Sequence, residues 1–205
     1  MPVIPVTTWI NSQFRTDLGY GREKIVIYLE QTGLMSKEVE MTAAVIVRET
    51  LKTGKGVFAG KDYRKDEFIL CFEGDVVEGE LTSFPEDLQN HLHTLGDNRW
   101  LLPQPPWMYL NHSCEPNAGI KNNVELVAFK DIKKGEQICF DYAMANNTAW
   151  TMECHCGSKN CRKLIGNFNM LDEETKKRYM NYASDFIKRD YTNKEKYLDN
   201  RLPKR

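Results

Sequence analysis

Short apolar runs broken by charged or glycine-containing turns fill the middle of this chain. From Ala43 onward the β-branched Val45, Ile46 and Val47 lead into Thr53-Gly-Lys-Gly56, and Val57-Phe-Ala59 resumes the apolar character. This pattern predicts strand, glycine turn, strand. A weak internal echo follows: Ala59, Lys61, Asp62, Lys65, Glu67 and Ile69 recur as Ala128, Lys130, Asp131, Lys134, Glu136 and Ile138. Each copy sets a charged turn between two short apolar strands, which suggests two similarly built β units rather than a solenoid. The expected core is mainly β with α appendages.

Between the copies, Pro85 to Leu95 can form a short helix, while Pro103-Gln-Pro-Pro106 forces an extended or turning path. Farther on, Asp172-Glu-Glu174 precedes Lys176-Lys-Arg178, and Tyr179, Tyr182, Phe186 and Ile187 fall at helical spacing ahead of Lys188-Arg189. Acidic residues at the start and basic ones at the end suit the helix dipole, so one C-terminal helix is predicted here. The charged tail from Asn193 to Arg205 is expected to fray. Before residue 42 the signals are mixed, with a β-like run at Ile25 to Leu29 and a turn signal at Gln31-Thr-Gly33.

Length and composition narrow the classes. A chain of 205 residues, 41% hydrophobic and 11% aromatic, can bury one substantial core. A formal net charge of −1 argues against direct nucleic-acid binding through counterion release. Met1 to Ile10 lacks the pattern of a signal peptide, and no apolar run reaches the roughly 18 residues of a membrane span. The expectation is a soluble, intracellular protein, without a membrane partner, whose six cysteines are thiols or metal ligands rather than disulfides.

Three of those cysteines crowd into Cys154-His-Cys-Gly-Ser-Lys-Asn-Cys161, where Gly157 and Asn160 give a loop the freedom to wrap one ion. Tetrahedral zinc wants four ligands, and His155 points away if both its neighbours bind. The fourth must come from outside the run, from Cys71, Cys114, Cys139 or His112. Cys71 and Cys139 sit in apolar runs and read better as buried thiols, so Cys114, in a polar turn, is the choice. Lys159, Arg162 and Lys163 are placed to soften the charge of a four-thiolate site.

Tyr109-Leu-Asn-His-Ser-Cys-Glu-Pro-Asn117 packs turn-forming polar residues behind an apolar pair. Taken alone, its asparagines and serine do no more than satisfy a loop. In Gly135-Glu-Gln-Ile-Cys-Phe-Asp-Tyr142, period-two alternation puts Ile138, Phe140 and Tyr142 on one strand face and Cys139 and Asp141 on the other. Phe140 and Tyr142 can line one pocket, although a strand like this is more often core.

In order along the chain, Gly54-Lys-Gly56, Asn111 to Asn117, Gly135 to Tyr142 and the cluster Cys154, Cys156 and Cys161 resemble the SET-domain lysine methyltransferases, over Thr42 to Gly166. The resemblance implies several small twisted sheets, with the Asn-His-Ser-Cys segment and the Tyr142 strand threaded as a pseudoknot. It also implies zinc held by Cys114, Cys154, Cys156 and Cys161 in a post-SET loop. S-adenosylmethionine would be held by the backbone around Lys55 and Gly56 and by Asn111, His112 and Tyr142, with Leu164 and Ile165 covering the adenine. The implied domains are an N-terminal segment 1–41, a SET domain 42–145, a zinc segment 146–168 and a C-terminal helix with tail 169–205. Family members often carry arginine and phenylalanine where this chain has Met108 and Tyr109. The cysteine-rich region before the SET domain has no counterpart, since Met1 to Met41 contains no cysteine. The resemblance implies a lysine in a histone or another basic protein as substrate, and the missing region counts against the histone.

The implied chemistry puts Tyr142 and Phe140 at the transferred methyl. Tyr142, with an ordinary pKa of about 10, cannot strip a proton from lysine at equilibrium, so its role is to position the amine. Phe140, lacking a hydroxyl, leaves room for di- or trimethylation. A non-catalytic SET module that binds a lysine-bearing tail is the alternative, and retention of the donor-binding residues speaks against it. A zinc hydrolase fails, because four protein ligands leave no position for water.

Overall fold

The computed structural model describes residues 44–199. The segment 1–41, with its β-like run and turn signal, lies outside the described residues, as does the tail beyond Asp199. Among the described residues, twelve short strands form four small sheets. β1 (Val45–Glu49) and β2 (Lys55–Ala59) make the expected hairpin, in register from Val45 opposite Ala59 to Glu49 opposite Lys55. Gly54 closes it at φ +67°, a backbone region that favours glycine.

β3 (Phe68–Cys71) is followed by β4 (Gly74–Glu78), a helix α1 (Glu86–Gln89), β5 (His93–Gly96) and β6 (Arg99–Pro103). β4, β6 and β5 make an antiparallel sheet in that order. The predicted helix over 85–95 is thus cut to one turn, because Thr94 pairs with Trp100 and draws the chain into β5.

The central sheet runs β3, β9, β8, β10, β7, built from β7 (Asn111–His112), β8 (Ala118–Lys121), β9 (Glu125–Ala128) and β10 (Cys139–Phe140). β10 lies between β7 and β8 and pairs in parallel with both, so the chain from Asn111 to Ala118 loops around it. This is the threading that the resemblance implied. Asn117 locks it: its Nδ2 donates to the Gln137 carbonyl at 2.8 Å and its Oδ1 accepts from Cys139 N–H at 2.9 Å.

The internal echo has a spatial counterpart. Lys65 N–H donates to the Asp131 carboxylate and Lys134 N–H to that of Asp62, each at 2.8 Å. Tyr63 and Ile132 exchange both backbone hydrogen bonds, while Ala59 donates to the Glu136 carbonyl and Ala128 to that of Glu67. One turn design is used twice, the copies facing each other about a local twofold. Tyr63, Ile132, Ile138, Ile120 and Leu126 are buried in the core that results.

β11 (Met152–Glu153) and β12 (Leu164–Ile165) pair antiparallel and bracket the cysteine-rich loop. The predicted continuous C-terminal helix is corrected to two: α2 (Glu173–Tyr179) and α3 (Asp185–Asp199). Between them a 3-10 turn (Met180–Tyr182) and an extended Ala183 bend the chain. Ser184 N–H goes to the Met144 carbonyl and Asp185 N–H to Asn123 Oδ1, tertiary bonds that outcompete helix continuation. Both pieces still bury Tyr179, Tyr182, Phe186 and Ile187 against Val127, Ala143 and Met144. Helix continues past Asn193, where fraying was expected, as far as Asp199. No helix among the described residues is long and apolar enough to cross a membrane.

Candidate functional site

The strand expected to end at Tyr142 stops at Phe140; Tyr142 instead begins a 3-10 turn (Tyr142–Ala145). The cause is local: Asp141 Oδ1 accepts from Ala143 N–H at 3.1 Å and caps that turn. The rings of Phe140 and Tyr142 nonetheless remain neighbours, 5.0 Å between centroids.

Two cavities meet at Tyr142. One, of ≈ 130 Å³, is walled by Phe72, His93, Trp100, Trp107 and Phe140. The other, of ≈ 340 Å³, is walled by Thr53, Lys55, Tyr109, Asn111 and Met152. Tyr142 lines both, together with Asn90, His91, Met108, Leu110 and Trp150. The first is a narrow aromatic space in which Phe72 lies 6.3 Å from Trp107 and 6.2 Å from Phe140. At the junction the Tyr142 hydroxyl donates to the Leu110 carbonyl at 2.7 Å, and its N–H donates to His112 Nδ1 at 3.2 Å. Burial, then the adjacent Cys139, pushes the Tyr142 phenol well above its ordinary range, so it stays protonated. Burial likewise brings His93 and His112 down to about 4, which leaves both neutral at pH 7.

Of the residues expected at the cofactor, Lys55, Asn111 and Tyr142 wall the larger cavity. Gly56, His112, Leu164 and Ile165 do not. Gly56 supports the wall from behind: a Cβ there would sit 2.6 Å from Gln137 Nε2 and 3.1 Å from Asn111 Nδ2. Asn111 Nδ2 donates to the Lys55 carbonyl at 3.1 Å, tying β7 to β2. Ile165 is buried beside Cys114 and Cys154, and Leu164 is exposed. Sequence reasoning missed Met152, Trp150 and Asn90. Trp150 Nε1 donates to Asn90 Oδ1 at 3.0 Å and joins the cysteine-rich segment to the end of α1 across the cavities. An aromatic just ahead of the cysteine cluster was the only available signal.

The structure groups three of the four cysteines expected at zinc with His112, the candidate passed over, rather than with Cys161. Ligand atoms of His112, Cys114, Cys154 and Cys156 lie within 4.8 Å of one another, and Cys161 Sγ is 3.6 Å from Cys154 Sγ. All six cysteines are free thiols. Cys114 Sγ is 3.7 Å from Cys154 Sγ and 3.3 Å from His112 Nε2. Burial pushes the Cys154 thiol up strongly. At Cys156 burial is outweighed by hydrogen bonds from Cys114 and Ser158, which bring it down to about 6. Soft sulfur donors clustered this closely suit zinc or a similar ion.

Residues 54–143 match the family model of the SET domain, so the chain carries that domain. Histone-lysine N-methyltransferase ASHH3 of Arabidopsis thaliana is 28% identical over 137 residues, which cover 58% of this chain and 37% of that protein. An H3 lysine-36 specific histone-lysine N-methyltransferase of Aspergillus oryzae is 28% identical over 151 residues, 65% of this chain and 16% of that protein. A crystal structure of Arabidopsis thaliana SUVH6 in complex with SAM is similar over 59% of this chain and 32% of that one, at 18% identity and a TM-score of 0.48. The chain thus spans well under half the length of these relatives.

Proposed function

We propose that this chain, whose residues 54–143 form a SET domain, is an S-adenosylmethionine-dependent protein-lysine N-methyltransferase. The observation that carries the reading is the meeting of two cavities at Tyr142, the smaller walled by aromatic rings and the larger by Thr53, Lys55, Tyr109 and Asn111. An amine entering by the first can meet a donor held in the second without either crossing bulk water. The relatives named as histone-lysine N-methyltransferases support the same chemistry. The substrate class is a lysine in a histone or another basic protein.

When bound, S-adenosylmethionine supplies an electrophilic methyl group. Lys55, Asn111 and Tyr142 wall the space that would hold it, and the residues present fit: with Nδ2 of Asn111 committed to Lys55, Oδ1 can accept from the donor's ammonium. Lysine, with a pKa of about 10.4, must arrive uncharged, a deficit of about 4.6 kcal/mol at pH 7. The aromatic walls Phe72, Trp107 and Phe140 disfavour the ammonium form by excluding water. Tyr142 is no base, because its phenol is held protonated. It orients the neutral amine, which is where an enzyme gains most from positioning.

Zinc, when bound, would cross-link the cysteine-rich loop to the threaded core. Cys114, Cys154, Cys156 and Cys161 are the ligands we assign. His112 Nδ1 accepts from Tyr142 N–H, so the ring proton sits on Nε2, which can donate to the Cys114 sulfur but cannot itself ligate. The role is structural, with no water position on the ion.

Incubating the protein with labelled S-adenosylmethionine and fractionated lysate should label a polypeptide on lysine, and Tyr142→Phe should abolish most of the label while sparing donor binding. Absence of any transfer by the metal-replete wild type refutes the reading.

A further inference from the structure

Alternation along the strand puts Asp141 on the face opposite Phe140 and Tyr142, where a carboxylate would ordinarily meet solvent. In the folded chain it is 0% exposed. An isolated buried carboxylate is costly, so its surroundings must supply both charge and hydrogen bonds. They come from three separate parts of the chain. Arg162, in the cysteine-rich segment, reaches Oδ1 at 2.9 Å and Oδ2 at 2.7 Å. Tyr179, at the end of α2, donates its hydroxyl to Oδ2 at 3.2 Å and is itself fully buried. The Ala143 N–H donates to Oδ1; His112 Nδ1, 3.6 Å from the same oxygen, carries no proton and adds no donor.

Asp141 lines neither cavity, yet it sets where Tyr142 stands. Its side chain caps the turn that Tyr142 begins, and its carbonyl accepts from Met144 N–H at 2.9 Å in the same turn. The Tyr142 hydroxyl bond to Leu110 depends on that turn holding its place. We propose that Asp141 is a positioning residue for methyl transfer, clamped by Arg162 and by Tyr179 so that the cysteine-rich segment and α2 jointly fix the Tyr142 ring. This rests on the reading of Tyr142 given above. Because the other donor-cavity walls, Lys55 and Asn111, belong to other strands, loosening the clamp shifts Tyr142 and disturbs alignment more than binding. Small misplacements of that kind are expensive in rate.

The test uses the zinc-loaded full chain with Tyr179→Phe, Asp141→Asn and the double variant. The Phe129 edge contact on the Tyr179 ring, 5.7 Å between centroids, survives the loss of the hydroxyl. Tyr179→Phe should lower kcat roughly 3- to 10-fold and Asp141→Asn roughly 30- to 100-fold, with KM for donor and protein substrate within about twofold. The double variant should be no slower than Asp141→Asn, because both act through one carboxylate. Ring signals of Tyr142 in tyrosine-labelled NMR spectra, assigned with Tyr142→Phe, should broaden or shift in Tyr179→Phe.

Wild-type kcat in both single variants overturns the proposal, as does additivity in the double variant or a loss of rate matched by a rise in KM or by zinc loss. If Asp141→Asn does not fold, Tyr179→Phe decides through kcat and the Tyr142 signals. If the wild type transfers no methyl group, the methyltransferase reading falls, and an unmoved Tyr142 spectrum in Tyr179→Phe separately removes the clamp.

Discussion

Asn111 holds its place through Nδ2 on the Lys55 carbonyl, and its Oδ1 is the acceptor assigned to the donor's ammonium. A hydrogen bond to a charged group is worth about 1.5 to 3 kcal/mol, so Asn111→Ala should weaken S-adenosylmethionine binding by roughly 10- to 150-fold. Calorimetry on a folded variant measures this directly, and an unchanged affinity removes Asn111 from the cofactor site. The second residue-scale prediction concerns the number of methyl groups. Phe140 is buried beside Tyr142 and walls the aromatic cavity. A hydroxyl there would hold water or the amine and resist the rotation needed for a second transfer. Wild type should therefore reach di- or trimethyl-lysine, and Phe140→Tyr should stop mainly at one methyl with the first transfer preserved. Mass spectrometry after exhaustive reaction distinguishes the two. Tyr109, which carries a hydroxyl, walls the other cavity and lies under Lys55 Nζ at 5.3 Å, so it does not take that role.

The cysteine-rich loop between β11 and β12 is an element that cannot hold itself together. β11 and β12 are two residues each, and the loop between them packs around thiols rather than an apolar core. Its order must come from cross-linking, so one zinc ion per chain is expected, bound by Cys114, Cys154, Cys156 and Cys161. Chelation should disorder the segment that carries Met152 and Trp150, two walls of the donor cavity, and activity should fall with it. Metal analysis showing far less than one zinc per chain alongside full activity contradicts this. The cluster was legible because three cysteines in one polar run have no better explanation in a chain without disulfide patterning. The choice of Cys114 over Cys71 and Cys139 followed from polarity alone, and the fold brings Cys114 beside Cys154. His112 stood among the sequence's candidates for the fourth ligand, but that it comes as close to the cluster as Cys114 depends on how β7 lies against β10.

At the scale of the whole molecule, α2 and α3 complete the fold. Tyr179, Tyr182, Phe186 and Ile187 bury against β9 and the Tyr142 turn, and four such side chains contribute on the order of 10 kcal/mol. That rivals the entire net stability of a typical domain, about 5 to 15 kcal/mol. Truncation after Leu171 should therefore yield an insoluble or molten chain, while truncation after Asp199 should melt like the full chain. Circular dichroism melts of the two truncations decide the matter; a cooperative, soluble chain ending at Leu171 would show that the helices are dispensable. Arg189, which bridges to Asp97 at 3.1 Å on the β5–β6 turn, extends the same brace toward the aromatic cavity.

What the sequence determined by itself is local or compositional: the β1–β2 hairpin from its glycine turn, the repeated charged turn at 59–69 and 128–138, the crowding of cysteines at 154–161, and the pairing of Phe140 with Tyr142. Each depends on residues close in the chain or on side-chain chemistry that one pattern explains. The tertiary structure alone decided where Tyr142 turns, how the C-terminal helix breaks and which residues wall the cavities. The Tyr142 turn is capped locally by Asp141, but the carboxylate that caps it is held in a buried position by Arg162 and Tyr179, 21 and 38 residues away. The helix breaks because Met144 and Asn123 supply partners for backbone groups that a helix would otherwise have claimed. Both are competitions for hydrogen bonds, and their outcome depends on which distant groups the fold brings within about 3 Å.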